Sequence, residues 1–206
     1  MRSGRELTFV AILVASVLAT AASGAHAQIK QPGKHPSYDV EVEPHLFLQL
    51  ESGGWFNDTG IGVGGRVTIP LMHNGPIDSI NNNMGIGFGL DWAHFDNACY
   101  YGVNIRGIPN NWAYGDCPMN DFWLPIVWQW SFYFTPLISA FVEPGLAIEH
   151  TSWSSDLCPG GIDCSYNDTS LEFVFWLGVR FHLSDDFALV LRLGTPSLDF
   201  GPAFLM

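Results

Sequence analysis

The chain has 206 residues, of which 48% are hydrophobic and 14% are charged, and its formal net charge is −12 at pH 7. Such an acidic chain repels phosphate groups, which excludes nucleic acids and argues against anionic lipid head groups as direct partners. After residue 27 no apolar run reaches the ~20 residues of a membrane-spanning helix, so the hydrophobic residues must be dispersed along the chain.

The first 27 residues have the pattern of a secretory signal peptide. Arg2 and Arg5 precede an apolar run from about Leu7 to Thr20, and Ala25-His26-Ala27 forms a small-x-small cleavage site. The apolar run is too short for a membrane anchor. We therefore expect export of a mature chain that begins at Gln28.

Residues 28–43, QIKQPGKHPSYDVEVE, form a polar periplasmic lead-in that we expect to be disordered or loosely held. Residues 44–206 alternate between apolar and mixed positions. Successive side chains of a β-strand point to opposite faces, so this alternation predicts strands. The eight predicted strands are 45–51, 59–69, 84–95, 121–134, 137–150, 171–183, 187–194 and 197–206.

The stretch LEFVFWLGVRFHL, residues 171–183, illustrates the two faces of a predicted strand. One face carries only large apolar side chains, whereas the other includes Glu172, Arg180 and His182. A soluble barrel would expose the mixed face, yet no lysine follows Lys34 and such a surface would be poorly solvated. We therefore expect the apolar faces to contact lipid and the mixed faces to fill the interior.

The predicted fold is all-β: a closed, antiparallel, up-and-down transmembrane β-barrel of eight strands. Closure satisfies the strand edges, which hydrocarbon cannot do. Long polar connections at 96–120 and 151–169 fall on one side, and short links at Thr135-Pro136 and Ser184-Asp185-Asp186 fall on the other. The link at 71–83 is long for its side. Ten strands would result if 101–114 formed an extra hairpin.

Over nearly the whole mature chain this pattern resembles the small eight-stranded outer-membrane β-barrels, the class of the OmpA transmembrane domain and OmpX. The last strand carries Phe204 near its end, as family members carry a terminal aromatic, although Met206 is the last residue and Pro202 interrupts the strand. The resemblance implies a monomer in the bacterial outer membrane. Its implied partners are membrane lipid, lipopolysaccharide and the barrel assembly machinery.

Charged residues on the mixed faces are predicted to form an ion-pair network that fills the lumen, because a buried charge must be paired. Arg192 and Asp199 flank the predicted tight turn at Thr195-Pro196 and should face each other. A narrow ion path through the lumen is the alternative. The predicted network comprises Glu51, Arg66, Asp91, Glu143, Glu149, Glu172, Arg180, Arg192 and Asp199.

The two long segments contain the four cysteines, and an exported chain with an even number of cysteines should be oxidised. Three pairings can be drawn, of which Cys99–Cys117 and Cys158–Cys164 close the shortest loops. The same segments carry aromatic residues that suit a protein or glycan ligand. The candidate ligand-binding residues are Tyr100, Tyr101, Trp112, Tyr114, Trp153 and Tyr166.

No cofactor or metal ion is predicted, because the acidic residues lack a calcium-loop spacing. His150 and Ser152 share the outward face at the external rim and resemble the H-x-S pair of outer-membrane lipid A deacylases. The residues that follow, Trp-Ser-Ser, depart from that pattern, so an enzyme is not predicted. Pro125 and Pro144 fall inside neighbouring strands and predict a bulge or local fraying.

Overall fold

A computed structural model describes residues 28–49, 59–96, 118–155 and 164–206 of the chain. Within these residues no helix is long and apolar enough to cross a membrane. A single 3-10 turn, Gln28–Lys30, precedes the strands. The strands are β1 (Glu41–Gln49), β2 (Gly60–Met72), β3 (Asn82–Phe95), β4 (Met119–Tyr133), β5 (Ile138–Ser155), β6 (Cys164–His182), β7 (Phe187–Thr195) and β8 (Ser197–Leu205).

These eight strands form a closed antiparallel barrel in which each strand pairs with the next along the chain. Closure is made by β1 and β8, where Leu46 lies opposite Phe200. The predicted fold class is therefore confirmed, and each predicted strand corresponds to one of the eight that the described residues form. The signal peptide at 1–27 and the extra hairpin at 101–114 lie outside the described residues.

The strand ends differ most from the prediction at the start of β1 and in the hairpin of β5 and β6. β1 begins at Glu41, within the predicted lead-in, and the paired strands β5 and β6 continue to Ser155 and Cys164. Part of the predicted loop 151–169 is therefore strand. Beyond the barrel wall both faces of a hairpin meet water, so its backbone ladder continues without the apolar alternation on which the prediction depended.

The two faces of each strand are oriented as the alternation predicted. On the outer face Leu46 is 57% exposed and Phe173 is 65% exposed, whereas their neighbours Phe47 and Val174 are fully buried in the interior. The outer surface is thus aliphatic and aromatic, and the polar side chains lie inside. This orientation reverses the arrangement of a water-soluble barrel.

The segment that precedes β1 folds over one end of the barrel; we call residues 28–40 the cap. The amide of Gln28 donates to the carbonyl of Phe134 (2.9 Å), and the amide of Val40 donates to the carbonyl of Met206 (2.9 Å). Tyr38 is buried. The expectation of a loosely held lead-in is therefore wrong, because its backbone and its aromatic side chain find partners on the barrel. We call this the cap end and the opposite end the loop end.

The two in-strand prolines interrupt the backbone ladder without changing its register. Pairing of β3 with β4 stops at Phe88–Ile126 and resumes at Asp91–Trp123, which leaves out Pro125. Pairing of β4 with β5 likewise stops at Val127–Gly145 and resumes at Trp130–Val142, beyond Pro144. The predicted fraying is thus present at both prolines, and the constant register excludes a bulge there, since a bulge would shift the pairing.

Candidate functional site: the charged lumen

The inward faces bring three arginines into the interior, and each comes from a different strand. Arg66 lies on β2, Arg180 on β6 and Arg192 on β7, and all three are at most 1% exposed. They are all the arginines of the described residues. A buried guanidinium requires ionic partners and hydrogen bonds. Five buried carboxylates surround them: Glu41, Glu43, Asp91, Glu143 and Asp199.

Arg180 forms a two-pronged ion pair with Glu41 near the cap end. Its Nε donates to Glu41 Oε1 at 2.8 Å and its Nη2 donates to Glu41 Oε2 at 2.9 Å. The remaining nitrogen, Nη1, donates to Ser131 Oγ at 3.1 Å. This parallel geometry is the strongest that a guanidinium and a carboxylate adopt, and it joins strands β1 and β6 across the barrel.

Arg192 lies at the centre of the network and contacts three carboxylates. Its Nη1 and Nη2 donate to Glu43 at 2.6 and 2.9 Å, and its Nε lies 2.8 Å from Glu143 Oε2. Across the Thr195-Pro196 turn, Arg192 faces Asp199, with Nη1 3.6 Å from Oδ2. A single cation thus links β1, β5 and β8 to its own strand.

Arg66 extends the network toward the other side of the lumen. Its Nη1 donates to Glu143 Oε2 at 3.0 Å and its Nη2 donates to Asp91 Oδ2 at 3.3 Å. The second oxygen of Asp91 lies 2.9 Å from His45 Nε2. Glu143 therefore bridges Arg66 and Arg192, so the two guanidinium groups form one connected array.

Aromatic rings complete the surroundings of the guanidinium groups. Arg180 lies over the ring of Phe141 at 4.1 Å, and Arg66 lies over the ring of Trp176 at 4.7 Å. Such cation–π contacts strengthen when the groups are desolvated. A Cβ atom at Gly178 would overlap the Phe141 ring, so the absence of a side chain at this position makes room for the ring beside Arg180.

Toward the loop end the lumen is filled by packed apolar side chains instead of ion pairs. Asp121 accepts there from the side-chain amide of Gln49 at 2.6 Å and from the indole of Trp123 at 2.9 Å. We call the apolar group the aromatic layer. It comprises Phe47, Ala93, Phe95, Met119, Trp123, Val127, Ala147, Val174 and Trp176.

Of the nine predicted network residues, the structure joins Arg66, Arg192, Asp91, Glu143 and Asp199, and Arg180 forms its own pair. Glu149 and Glu172 lie half-buried at the loop end of the lumen and take part in no ion pair among the described residues. Glu149 instead accepts a hydrogen bond from Ser170. Glu51 lies outside the described residues.

Sequence reasoning missed four lumenal groups: Glu41, Glu43, His45 as an ionic partner, and Asp121. The signal for the first two was present, since Glu41 and Glu43 share the parity of His45 and Phe47. The predicted boundary after residue 43 separated them from the strand. Without them two of the arginines had no recognisable partner from β1.

The predicted loop sites remain predictions. Cys99, Cys117 and Cys158 lie outside the described residues, as do the first four candidate aromatics, Tyr100, Tyr101, Trp112 and Tyr114. Cys164 begins β6 and pairs through its backbone with Ser155. Trp153 and Tyr166 face each other in the β5–β6 ladder; of their side chains, and of the Cys164 side chain, nothing is described.

His150 and Ser152 lie on the outward-facing side of β5 near the loop end, as predicted from parity. The Nδ1 atom of His150 lies 2.8 Å from the hydroxyl of Thr169, and no carboxylate contacts the ring in the described residues. A hydroxyl can orient an imidazole but does not stabilise its cation as a carboxylate does. No group of three or more His, Cys, Asp or Glu side chains in the described part of the chain could hold a metal ion.

No protein-family model and no curated protein matches the chain. Among solved structures, the attachment invasion locus protein Ail of Yersinia pestis is 12% identical, with a TM-score of 0.47, over 81% of this chain and 96% of that one. Ail in complex with the heparin analogue sucrose octasulfate is 14% identical, with a TM-score of 0.43, over 80% and 96%. Neisserial surface protein A is 13% identical, with a TM-score of 0.41, over 81% and 96%. These sequence identities and TM-scores are too low to assign a function to this chain.

Proposed function

We propose that the chain is an integral protein of a bacterial outer membrane whose own side chains close its lumen, and whose loop end serves a structural or surface-binding role outside the cell. The observation that carries the proposal is the inside-out arrangement of the barrel. Apolar side chains face outward all around the wall, whereas ion pairs and polar hydrogen bonds lie inside. Hydrocarbon is the surrounding in which this arrangement is stable.

The outer surface supports the membrane location. Among its exposed residues are Ile61, Leu124, Leu171, Leu177 and Leu193, each at least 48% exposed. A soluble monomer rarely exposes one continuous apolar surface of this kind. In the proposed orientation the cap end is periplasmic, residues 1–27 are removed as the signal peptide, and the assembly machinery inserts the barrel, which begins at Glu41.

The side chains that fill the interior support a lumen through which ions do not pass. Arg180 and Glu41 span it near the cap end, and Arg192 links its own strand β7 to β1, β5 and β8. Beyond them the aromatic layer is closely packed, with Phe47, Val174 and Trp176 fully buried. An eight-stranded barrel has an interior that side chains can fill completely.

The proposal includes two loop disulfides, Cys99–Cys117 and Cys158–Cys164, and an extracellular protein or glycan as the ligand of the loop aromatics. Oxidation is expected in the compartment to which the chain is exported. Peptide mapping by mass spectrometry without reduction would identify the pairs. Cross-loop peptides such as Cys99–Cys158 would contradict the proposed pairing.

Two measurements test the membrane location and the closed lumen separately. The protein should fractionate with outer membranes and migrate faster in gels when it is not heated, because a folded barrel stays compact in detergent. In planar bilayers the reconstituted protein should give no discrete conductance steps. Recovery in the soluble periplasmic fraction would contradict the first statement, and regular single-channel steps would contradict the second in favour of an ion path.

A further inference from the structure

The neighbouring prolines of β4 and β5 mark a part of the barrel wall in which backbone hydrogen bonds between strands are missing. Pro125 and Pro144 lack the N–H that a ladder requires, and the two interruptions described above lie on either edge of β4. Gly89 and Gly145 sit beside these gaps. They have inward parity yet are half-exposed, unlike the fully buried Val127 next to them.

The backbones of β4 and β5 approach each other closely at this point. A Cβ atom at Gly145 would overlap the carbonyl oxygen of Ile126, and one at Gly89 would lie 2.8 Å from Pro125 Cγ. Gly89 and Gly145 line a groove on the outer surface together with the larger outward side chains around them.

The groove has a volume of about 660 Å³, which lies within the range of roughly 300–1,000 Å³ typical of ligand sites. Every residue that lines it is apolar, and its walls are side chains that project outward from four adjacent strands. The walls include Phe88, Leu124, Trp128, Leu146, Ile148 and Leu171. A ligand that fills such a site must itself be a hydrocarbon.

The surface changes character just beyond the loop-end rim of the groove. His150 follows Ile148 by two residues on the same face of β5, a distance of about 7 Å along a strand. Its ring contacts the hydroxyl of Thr169, which lies two residues before Leu171 on the same face of the neighbouring strand β6. An apolar groove thus continues into a patch of imidazole and hydroxyl groups, which matches the division of an amphiphile into tail and head.

Resting on the proposed membrane location, we infer that this groove binds one acyl chain of a membrane lipid whose polar head lies beside His150 and Thr169. The occupant follows from shape and continuity. The groove is a depression in a surface that faces hydrocarbon on every side, and a single flexible chain fits between walls such as Leu124 and Leu146. The inference also gives His150 a role in lipid binding that requires no catalytic partner.

The test is photo-crosslinking of the full chain in vesicles of phosphatidylethanolamine and phosphatidylglycerol that contain a phosphatidylethanolamine with a diazirine in its acyl chain. After photolysis, adducts are mapped by peptide mass spectrometry. We expect several-fold more label on β4 and β5 around Leu124 and Leu146 than on Leu46 and Phe200. The last two are outward-facing and paired on the opposite wall, with comparable exposure.

Two substitutions provide a matched comparison. Leu146→Trp fills the groove and should reduce the excess label at least threefold, whereas Leu46→Trp, on the opposite wall, should leave it unchanged. His150→Leu removes the polar contact and should lower the excess without abolishing it. Persistence of the full excess in Leu146→Trp overturns the groove as the site, and an unchanged excess in His150→Leu overturns the position of the head group.

The distribution of label on the unaltered protein is decisive even if a variant does not insert. Label spread over all outward residues in proportion to their exposure overturns the groove but leaves the membrane location intact. Absence of label from every outward residue would overturn the membrane location itself, and the inference with it.

Discussion

The two halves of the lumen have the same strand parity but opposite chemistry. Toward the cap end the interior is held by guanidinium–carboxylate pairs, with Arg180 on Glu41 and Arg192 on Glu43 and Glu143. Toward the loop end it is held by the aromatic layer, in which Trp176 is fully buried. The parity of a residue in its strand thus decides whether its side chain points inward. The neighbouring lumenal side chains at the same level along the barrel axis decide whether it is held by an ion pair or by apolar packing.

The largest effect should follow from removal of the central cation. Arg192→Met leaves Glu43 and Asp199 buried without their arginine, and it leaves Glu143 with Arg66 as its remaining arginine partner. Breaking a buried pair in this way costs about 3–5 kcal/mol of the free energy of unfolding. Urea titration of the protein in detergent micelles, followed by tryptophan fluorescence, measures the loss.

Arg192→Lys is the matched control for this substitution, because it keeps the charge but loses the planar fork that reaches Glu43. Its loss should be clearly smaller than that of Arg192→Met. Equal losses in the two variants would mean that geometry, not charge, stabilises the cap-end half. A loss below about 1 kcal/mol in both would contradict the importance of the ion pairs.

A smaller loss is expected in the aromatic layer. Trp176→Leu leaves a cavity and deprives Ser197 of the indole donor that lies 3.1 Å away, for a cost of about 2–3 kcal/mol. Trp128→Leu is the control, because Trp128 faces outward and its replacement opens no internal cavity. The same urea titration compares them, and equal losses would show that the layer is not closely packed.

The cap provides a pH-dependent test of smaller size. Burial, followed by the carboxylate of Glu41, raises the pKa of the Tyr38 hydroxyl, so the folded state favours the neutral phenol. The contribution of the Tyr38 hydroxyl to the free energy of unfolding is therefore present below the unfolded pKa of about 10. It is lost as the pH rises above that value. Exchange of the Val40 amide, which is bonded to Met206, should accelerate in that range.

Tyr38→Phe keeps the ring but cannot ionise, so it should remove this acceleration. At neutral pH it loses the hydrogen bonds to Glu41 and Asn83, at a cost of about 1 kcal/mol. A pH profile of Val40 exchange identical in the two proteins would exclude Tyr38 as the titrating group of the cap.

The smallest effect is expected at the outer rim of the aromatic half. Ser152→Ala should leave both the stability and the acyl-chain composition of lipid A unchanged, because the nearby His150 contacts Thr169 and no carboxylate of the described residues. Mass spectrometry of extracted lipid A from cells with and without the variant measures this. A difference in acylation between the two would revive the hydrolase hypothesis.

The alternation of apolar residues was enough to predict the eight strands and which of their described side chains face inward. It also predicted one ion pair, because a tight turn at Thr195-Pro196 fixes the heights of Arg192 and Asp199 on adjacent strands. Contacts across the lumen could not be derived in this way. Glu41 and Arg180 are 139 residues apart, and their meeting depends on barrel closure and on the heights of non-adjacent strands.

The cap was missed for a related reason. Its contacts are backbone hydrogen bonds and single aromatic contacts, such as His35 stacked on Tyr133 at 4.5 Å, and these leave no periodic trace in the sequence. The extended hairpin of β5 and β6 was missed because both of its faces are polar. A prediction based on alternation ends where one face ceases to be apolar.

The position of Glu41 and Glu43 on the first strand, with Arg180 and Arg192 on the sixth and seventh, has a consequence for biogenesis. Any partial sheet that has entered the bilayer carries acids whose counterions have not yet arrived. Because an isolated charge is costly in hydrocarbon, a partly inserted intermediate is unstable in the bilayer. Insertion of this chain should accordingly be an all-or-none event that waits for its final hairpin.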